Sequence, residues 1–398
     1  MTVAIYLDHA ATSPLRAEVL EAMLPYLTEH FGNASSLHAS GRRARQGLDE
    51  SRESVAAVLG AKPREVIFTS GATENTNLAI AGLAWAGSAR GRHVVTTTIE
   101  HRAVLGACGN LERHGFEVTQ VPVDRYGQVD PAAVAEAIGP HTTLVAIGYA
   151  NNEVGTIQPI AEIGALCRER GIRTYVDATQ AAAALPLAVD DLQVDVLGLS
   201  AHKIEGPKGV GALFIRQGTN LIPQQAGGSQ ERQRRAGTEN VAGAVGLAMA
   251  LELARGDAAA MAAESDRQRG LRDGLIGRLA ELPDGELTGH PTARLPNSVS
   301  WVFAGVEGGD LVAALDLEGV EASTGSACTS GSAEPSHVLL AMGVPPERVR
   351  GSLRLTLGRT TTADETARAA DLVATCVARV RAAAATRPTE SATAPAGA

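Results

Sequence analysis

The stretch Val194-Asp-Val-Leu-Gly-Leu-Ser-Ala-His-Lys203 sets an apolar, β-favouring run directly before small and polar residues and a lysine. Gly206-Pro-Lys-Gly209 follows, then a second apolar run over Val210 to Ile215. Working outward, similar short runs lie at 65–69, 93–97, 117–121, 143–147 and 173–176. Between them the hydrophobic period is helical, over 73–85, 101–114, 131–138 and 159–170. Gly115 and Gly171 stand as helix stops. Strands alternating with helices from about 64 to 216 predict an α/β domain with a mainly parallel sheet.

Beyond that region, 240–255 and 257–282 read as long helices, and Pro283-Asp-Gly285 as a turn where the periodicity changes and a domain boundary is expected. Residues 296–384 read as strand (298–303), helix (309–318), loop, helix (336–342), strand (352–357) and final helix, a smaller α+β domain. The tail 385–398 has nothing apolar to bury and is expected to be disordered.

The chain has 398 residues, 44% hydrophobic and 20% charged, which suits an ordinary globular protein large enough for two domains. A formal net charge of -9 argues against nucleic acid or an anionic membrane as the main partner. The basic run Glu231-Arg-Gln-Arg-Arg235 reads as a solvated or subunit-facing stretch. The four cysteines, 108, 167, 328 and 376, have neither C-x-x-C nor metal-ligand spacing, so no metal site is expected and a reducing cytoplasm fits best. No targeting segment and no apolar stretch of the roughly 20 residues that span a bilayer is apparent.

Lys203 at a strand end looks like a Schiff-base anchor for pyridoxal 5'-phosphate, an electron-sink cofactor that needs a lysine for its aldehyde and an acid for its ring nitrogen. Asp177, ending the run before it, supplies the acid, or else caps a helix. Ser70-Gly-Ala-Thr73 between strand and helix offers backbone N–H groups and a hydroxyl to a phosphate, or is an ordinary cap with Thr73 as capping residue. Ser200 and His202 flank the lysine as further phosphate ligands. His101 at a strand-to-helix junction is placed to stack on the ring, or to cap. Asn152 in Asn151-Asn-Glu153 is placed for the ring hydroxyl and a substrate carboxylate, or is part of a polar turn. Lys208, between glycine and proline neighbours, reads as a turn residue. Cys328 lies in a loop of small residues, 324–333, that suits a swinging thiol, whereas Cys108, Cys167 and Cys376 lie in apolar helical patterns and read as packing residues.

Nine blocks in order, Tyr6-Leu-Asp-His-Ala-Ala-Thr12, Phe31-Gly-Asn33, Thr69-Ser-Gly-Ala-Thr-Glu74, Glu100-His101, Asn151-Asn-Glu153, Val176-Asp-Ala-Thr-Gln180, Ser200-Ala-His-Lys203, Arg235-Ala-Gly-Thr-Glu-Asn240 and Ser323-Thr-Gly-Ser-Ala-Cys-Thr329, resemble the cysteine desulfurases of the nitrogen-fixation and housekeeping iron–sulfur type, within the class V aminotransferase superfamily. Ala34, where the family usually has proline, and Glu205, at an often aromatic or small position, depart from the pattern. The resemblance implies the fold type I architecture of pyridoxal-phosphate transferases, with a large domain of 13–256 and a small domain of 1–12 and 257–384 that carries a mobile cysteine loop at about 320–335. It implies that Lys203 holds the cofactor, Asp177 its ring nitrogen, and Ala72, Thr73, Ser200 and His202 its phosphate. It further implies that His101 stacks on the ring, Gln180 and Asn152 contact its hydroxyl, and Arg354 clamps the substrate carboxylate. Thr238 would reach the cofactor of a neighbouring subunit, which implies a homodimer. The implied activity removes sulfur from L-cysteine, leaving a Cys328 persulfide for an acceptor such as an iron–sulfur scaffold or thiolation enzyme. A selenocysteine lyase or an aminotransferase of the same fold is the alternative.

Overall fold

The computed structural model describes residues 4–256, 258–325 and 335–386. Cys328, most of its loop and most of the tail lie outside the described residues. The chain enters through a two-residue strand, β1 (Ile5–Tyr6), and two helices, Ala17–Thr28 and Ala39–Leu59. Seven strands then form one sheet: β2 (Val66–Thr69), β3 (His93–Thr97), β4 (Glu117–Val121), β5 (Thr142–Gly148), β6 (Arg173–Asp177), β7 (Val196–Ser200) and β8 (Gly211–Ile215). Their spatial order is β2-β8-β7-β6-β5-β3-β4. Strand β8 runs antiparallel to both its neighbours, and the other pairs are parallel.

The central strands are covered on both faces, which is why they read as continuous apolar runs rather than as alternating ones. One face packs Val145, Ile147, Val176 and Leu197 against Val55, Leu59, Leu247 and Leu251 of the flanking helices. The other packs Leu144, Tyr175, Val196 and Leu213 under Ile80, Leu83, Val104 and Leu111. At the edge, β4 exposes Glu117 and Gln120, polar side chains that discourage pairing with another chain.

A second core sits in the remaining strands, β9 (Gly285–Leu287), β10 (Ser298–Phe303), β11 (Val320–Glu321) and β12 (Ser352–Thr356). Strands β9 and β12 flank β10, both antiparallel to it. Strand β1 pairs in parallel with β11, so the N-terminal residues belong to this second core, where Leu7 packs with Trp301, Phe303 and Leu353. The turn expected at 283–285 ends one residue early: Asp284 takes the left-handed φ of 56°, while Gly285 opens β9. A side chain at 285 would strike Trp301, its Cβ lying 2.4 Å from the indole nitrogen. A smaller cluster of Ile99, Val154, Val302, Val338, Leu339, Met342 and Val349 ties the two cores together.

Among the described residues no helix is long and apolar enough to cross a membrane. Cys108, Cys167 and Cys376 are free thiols inside the cores, as their apolar surroundings in the sequence predicted.

Candidate active site

In a parallel sheet the carboxyl ends of the strands gather at one edge, and ligands bind there. Here Thr97, Gly148, Asp177 and Ser200 end β3, β5, β6 and β7. A cavity of about 550 Å³ opens at that edge, a size typical of small-molecule sites. Its lining includes Ala72, Thr73, His101, Asn152, Asp177, Gln180, Ser200, His202, Lys203 and Arg354. Ten of the candidate residues thus meet in one place. Two do not: Thr238 is exposed and lies outside the lining, and Cys328 lies outside the described residues.

The helix Ala72–Gly87 begins at the cavity wall. Its cap is Gly71, not Thr73, with φ 144° and no side-chain hydrogen bond to the first turn. Ala72 and Thr73 therefore occupy the first helical positions, where backbone N–H groups have no partner within the helix. These donors and the positive end of the helix favour an anion. The Ser200 hydroxyl lies opposite, 3.7 Å from where a Cβ on Gly71 would stand. Glu74 closes the far side of this turn by accepting from Ser70 N at 2.8 Å and Arg235 Nε at 2.9 Å. Burial works against its charge, yet these bonds hold its carboxyl below the ordinary range. The Arg235 bond also fastens the loop that carries Thr238 to this helix start.

Lys203 sits on a single 3-10 turn after β7, and its Nζ donates to the carbonyls of Ala10 at 2.5 Å and Ala11 at 2.6 Å. Gln180 Nε2 donates to the same Ala10 carbonyl at 3.0 Å. The N-terminal segment 10–12 thus forms a wall of the cavity, anchored where Ser13 N donates to His202 O at 2.9 Å. His202 Nδ1 lies 3.2 Å from the Thr12 hydroxyl. Burial, reinforced by Lys203 and Lys208, pushes this histidine down to about 4, so near neutral pH it is an uncharged ring. Lys208 is the exposed turn residue expected, and it also lines the mouth.

Asp177 is buried and its Oδ1 accepts Thr179 N at 3.0 Å. The hydroxyl of Thr179, also in the lining, is buried without a partner among the described residues. His101 does cap a helix, its Nδ1 accepting Ala103 N at 3.1 Å, and it faces the cavity as well. Burial holds its pKa below the ordinary value, with Asp177 pulling the other way. A neutral ring that accepts at Nδ1 carries its proton on Nε2. Beneath it, Glu100 accepts Thr97 Oγ1 at 2.7 Å and Gly148 N at 2.8 Å, and complete burial pushes its carboxyl up to about 7.

At the opposite wall Arg354 is buried, donating through Nη2 to Asp8 at 2.7 Å and through Nη1 to the Asn152 carbonyl at 2.9 Å. Its Nε has no partner among the described residues. The polar-turn reading of 151–153 holds too: Asn151 Oδ1 accepts Glu153 N at 2.8 Å and Val154 N at 3.0 Å. Sequence reasoning assigned no site role to Ala10 to Thr12, Glu100, Asp8 or Thr179. A signal existed for all of them, since 6–12, 100–101 and 176–180 are among the nine blocks. The arrangement is suited to a small ligand with an anionic end at the helix start, an amine-reactive group by Lys203 and a carboxylate by Arg354.

Residues 5–368 match the aminotransferase class-V family. The chain belongs to that family. A cysteine desulfurase IscS of Methanosarcina thermophila is 50% identical to it over 379 residues, covering 95% of this chain and 93% of the relative. Among solved structures, a NifS-like protein superposes with a TM-score of 0.89 at 35% identity, covering 95% of this chain and all of that one. Another, SspA in complex with cysteine, gives a TM-score of 0.79 at 35% identity over 90% of this chain and all of that one. The strand–helix alternation pointed to the mainly parallel sheet and to a ligand site at its carboxyl edge, though not to the order of its strands.

Proposed function

We propose that this class-V chain is a cysteine desulfurase that takes sulfur from L-cysteine, releases L-alanine and keeps the sulfur as a persulfide on Cys328. The observation that carries the reading is the convergence of Lys203, Asp177, His101, Ser200 and His202 on one cavity. The half-identical desulfurase relative and the neighbour solved with cysteine support this substrate over a selenocysteine or an amino-group acceptor.

The donor set fits pyridoxal 5'-phosphate. The uncapped helix start at Ala72 and Thr73, with Ser200 and His202, would hold the phosphate, and the Thr238 hydroxyl would join them from the partner subunit of a homodimer. Lys203 would take the aldehyde, Asp177 the ring nitrogen, His101 the ring face, and Gln180 and Asn152 the ring hydroxyl. When bound, this cofactor draws electrons from the substrate α-carbon and so opens the β-sulfur to attack.

The chain's own groups do the rest. Arg354 presents its fork to the substrate carboxylate. Lys203 moves the proton at the α-carbon, and the neutral His101 passes protons near the thiols. Cys328 as thiolate attacks the substrate sulfur; an S–S bond forms, the C–S bond breaks, and its electron pair stays with carbon, which is protonated to the methyl group of alanine. Cys328 follows Gly325 by three residues, a tether of about 11 Å at full extension. The division into 13–256 and 1–12 plus 257–384 is part of this reading, supported by the two separate cores. So are a cytoplasmic setting, supported by the free buried thiols, and transfer to an iron–sulfur scaffold or thiolation enzyme.

Purified holoenzyme given L-cysteine should release alanine and gain one sulfur on the peptide that carries Cys328. Cys328→Ser should keep the cofactor's colour and its response to cysteine while alanine and sulfide production stop. Turnover at the normal rate in that variant would reject the scheme.

A further inference from the structure

Glu100 has no part in the chemistry above, yet it lines the cavity and is only 4% exposed. Burying a carboxyl is costly unless its bonds repay the lost hydration. Both of its oxygens are bonded, and to different strands. Oε1 accepts Thr97 Oγ1 at the end of β3, and Oε2 accepts Gly148 N at the end of β5. These strands are neighbours, but their paired residues stop at Val95 and Val145. Beyond that point side chains join them: Thr96 Oγ1 donates to Ala146 O at 2.7 Å, and the Glu100 carboxyl makes the last tie at the ligand edge. The approach is close, since a Cβ on Gly148 would fall 3.0 Å from Oε2. The carboxyl stands one step from each of two cofactor candidates. His101 is the next residue in the chain, and Gly148 is the register partner of Asp177 on β6.

We propose that Glu100 is a positioning residue for the cofactor ring: by tying the ends of β3 and β5 it fixes where His101 stands relative to Asp177. The inference rests on the reading of this cavity as a pyridoxal-phosphate site. Burial pushes the carboxyl up to about 7, and either protonation state keeps both bonds, because the Thr97 hydroxyl can accept as well as donate. The connection has backbone ties of its own, Asn151 Nδ2 to Ile99 O at 2.9 Å and His337 Nε2 to Glu100 O at 3.0 Å, so it outlasts loss of the side chain. What the side chain adds is the spacing of the two strand ends, on which the orientation of a bound ring depends.

The test compares wild type, Glu100→Ala and Glu100→Gln, each loaded with pyridoxal 5'-phosphate. Glu100→Ala should weaken cofactor binding about tenfold and alter the visible circular dichroism of the bound cofactor, which reports how the ring sits among its neighbours. It should lower kcat for L-cysteine about tenfold or more with little change in KM, since the Arg354 wall is untouched. Glu100→Gln offers a carbonyl to Gly148 N and an amide to Thr97 Oγ1, and should stay within about threefold of wild type in each measurement. Amide exchange in 97–104, measured with and without cofactor, should rise about tenfold in Glu100→Ala. Lower thermal stability with cofactor affinity and dichroism unchanged would mean a merely structural role and overturns the proposal, as does a Glu100→Gln variant as impaired as Glu100→Ala. Should Glu100→Ala not fold, Thr97→Val removes one of the two bonds without touching the cavity lining, and the same criteria apply. A wild-type protein that takes up no pyridoxal phosphate sinks the cofactor reading instead, and exchange in 97–104 then decides the tie.

Discussion

The wall of the cavity around Lys203 and the wall around Arg354 are made in different ways. At the first, Asp177 and Ser200 end adjacent strands, so the spacing of neighbouring strands fixes their separation, and Lys203 follows three residues later. At the second, Arg354 meets Asp8 from 346 positions away and the Asn152 carbonyl from 202. The sheet sets the strand-end residues of the first wall, and the N-terminal segment then closes over Lys203 through the Ala10 and Ala11 carbonyls. The second joins Arg354 to Asp8 within the second core and reaches the Asn152 carbonyl across the seam, so its full set of partners needs the two cores docked.

If this contrast is right, damage to the first wall should stop the chemistry, and damage to the second should weaken capture. Lys203→Ala should lower turnover at least about a thousandfold, because it removes the group proposed to move the α-proton. Cofactor and cysteine should still enter the site, which absorbance of the soaked protein would register. Arg354→Lys keeps a charge but loses the fork, and should raise KM for L-cysteine about tenfold or more with a smaller change in kcat. A variant in which kcat collapsed and KM stayed fixed would place Arg354 on the wrong side of the comparison.

A pH titration of stability sharpens it further. Burial raises Glu100 and Glu153 to about 7 from an ordinary 4.5, so the fold prefers their protonated forms. Their contribution is full below the unfolded pKa and is lost as pH rises through about 7. The stability of Glu153→Gln relative to wild type should therefore improve between about pH 5 and pH 8, as chemical denaturation would read out. A flat difference would mean that the carboxyl is ionised throughout. The smallest effect belongs to the seam. Glu205 and Arg359, paired at 2.9 Å, link the lysine turn to the second core, but both are partly exposed. Glu205→Ala should cost about 0.5 kcal/mol.

Much of the first wall was legible. Apolar runs located every strand of the large sheet within two residues, since strands covered on both faces carry little else. Lysine, acid, serine and histidine at the ends of those runs then shared an edge by topology alone. The helix Ala39–Leu59 went unread because its buried stripe, with Ala44 and Leu48, is diluted by arginines and glutamates. Strands β1 and β11 are two residues long and have no period to detect. The Asp8–Arg354 pair was hidden for a similar reason: two charges far apart in sequence carry no local mark of their meeting. His101 caps a helix and Asn152 lies in a turn, and both also line the cavity, since a polar residue at a helix or turn start can serve the backbone and still face a ligand.

The three thiols inside the cores bear on how sulfur is kept in order. Burial pushes Cys108 and Cys167 up to about 12 and raises Cys376 as well. At pH 7 only about one in 10⁵ of the first two would be in the nucleophilic form. A sulfane sulfur carried by the enzyme therefore meets no ready thiolate at these three positions, which burial keeps both protonated and out of reach.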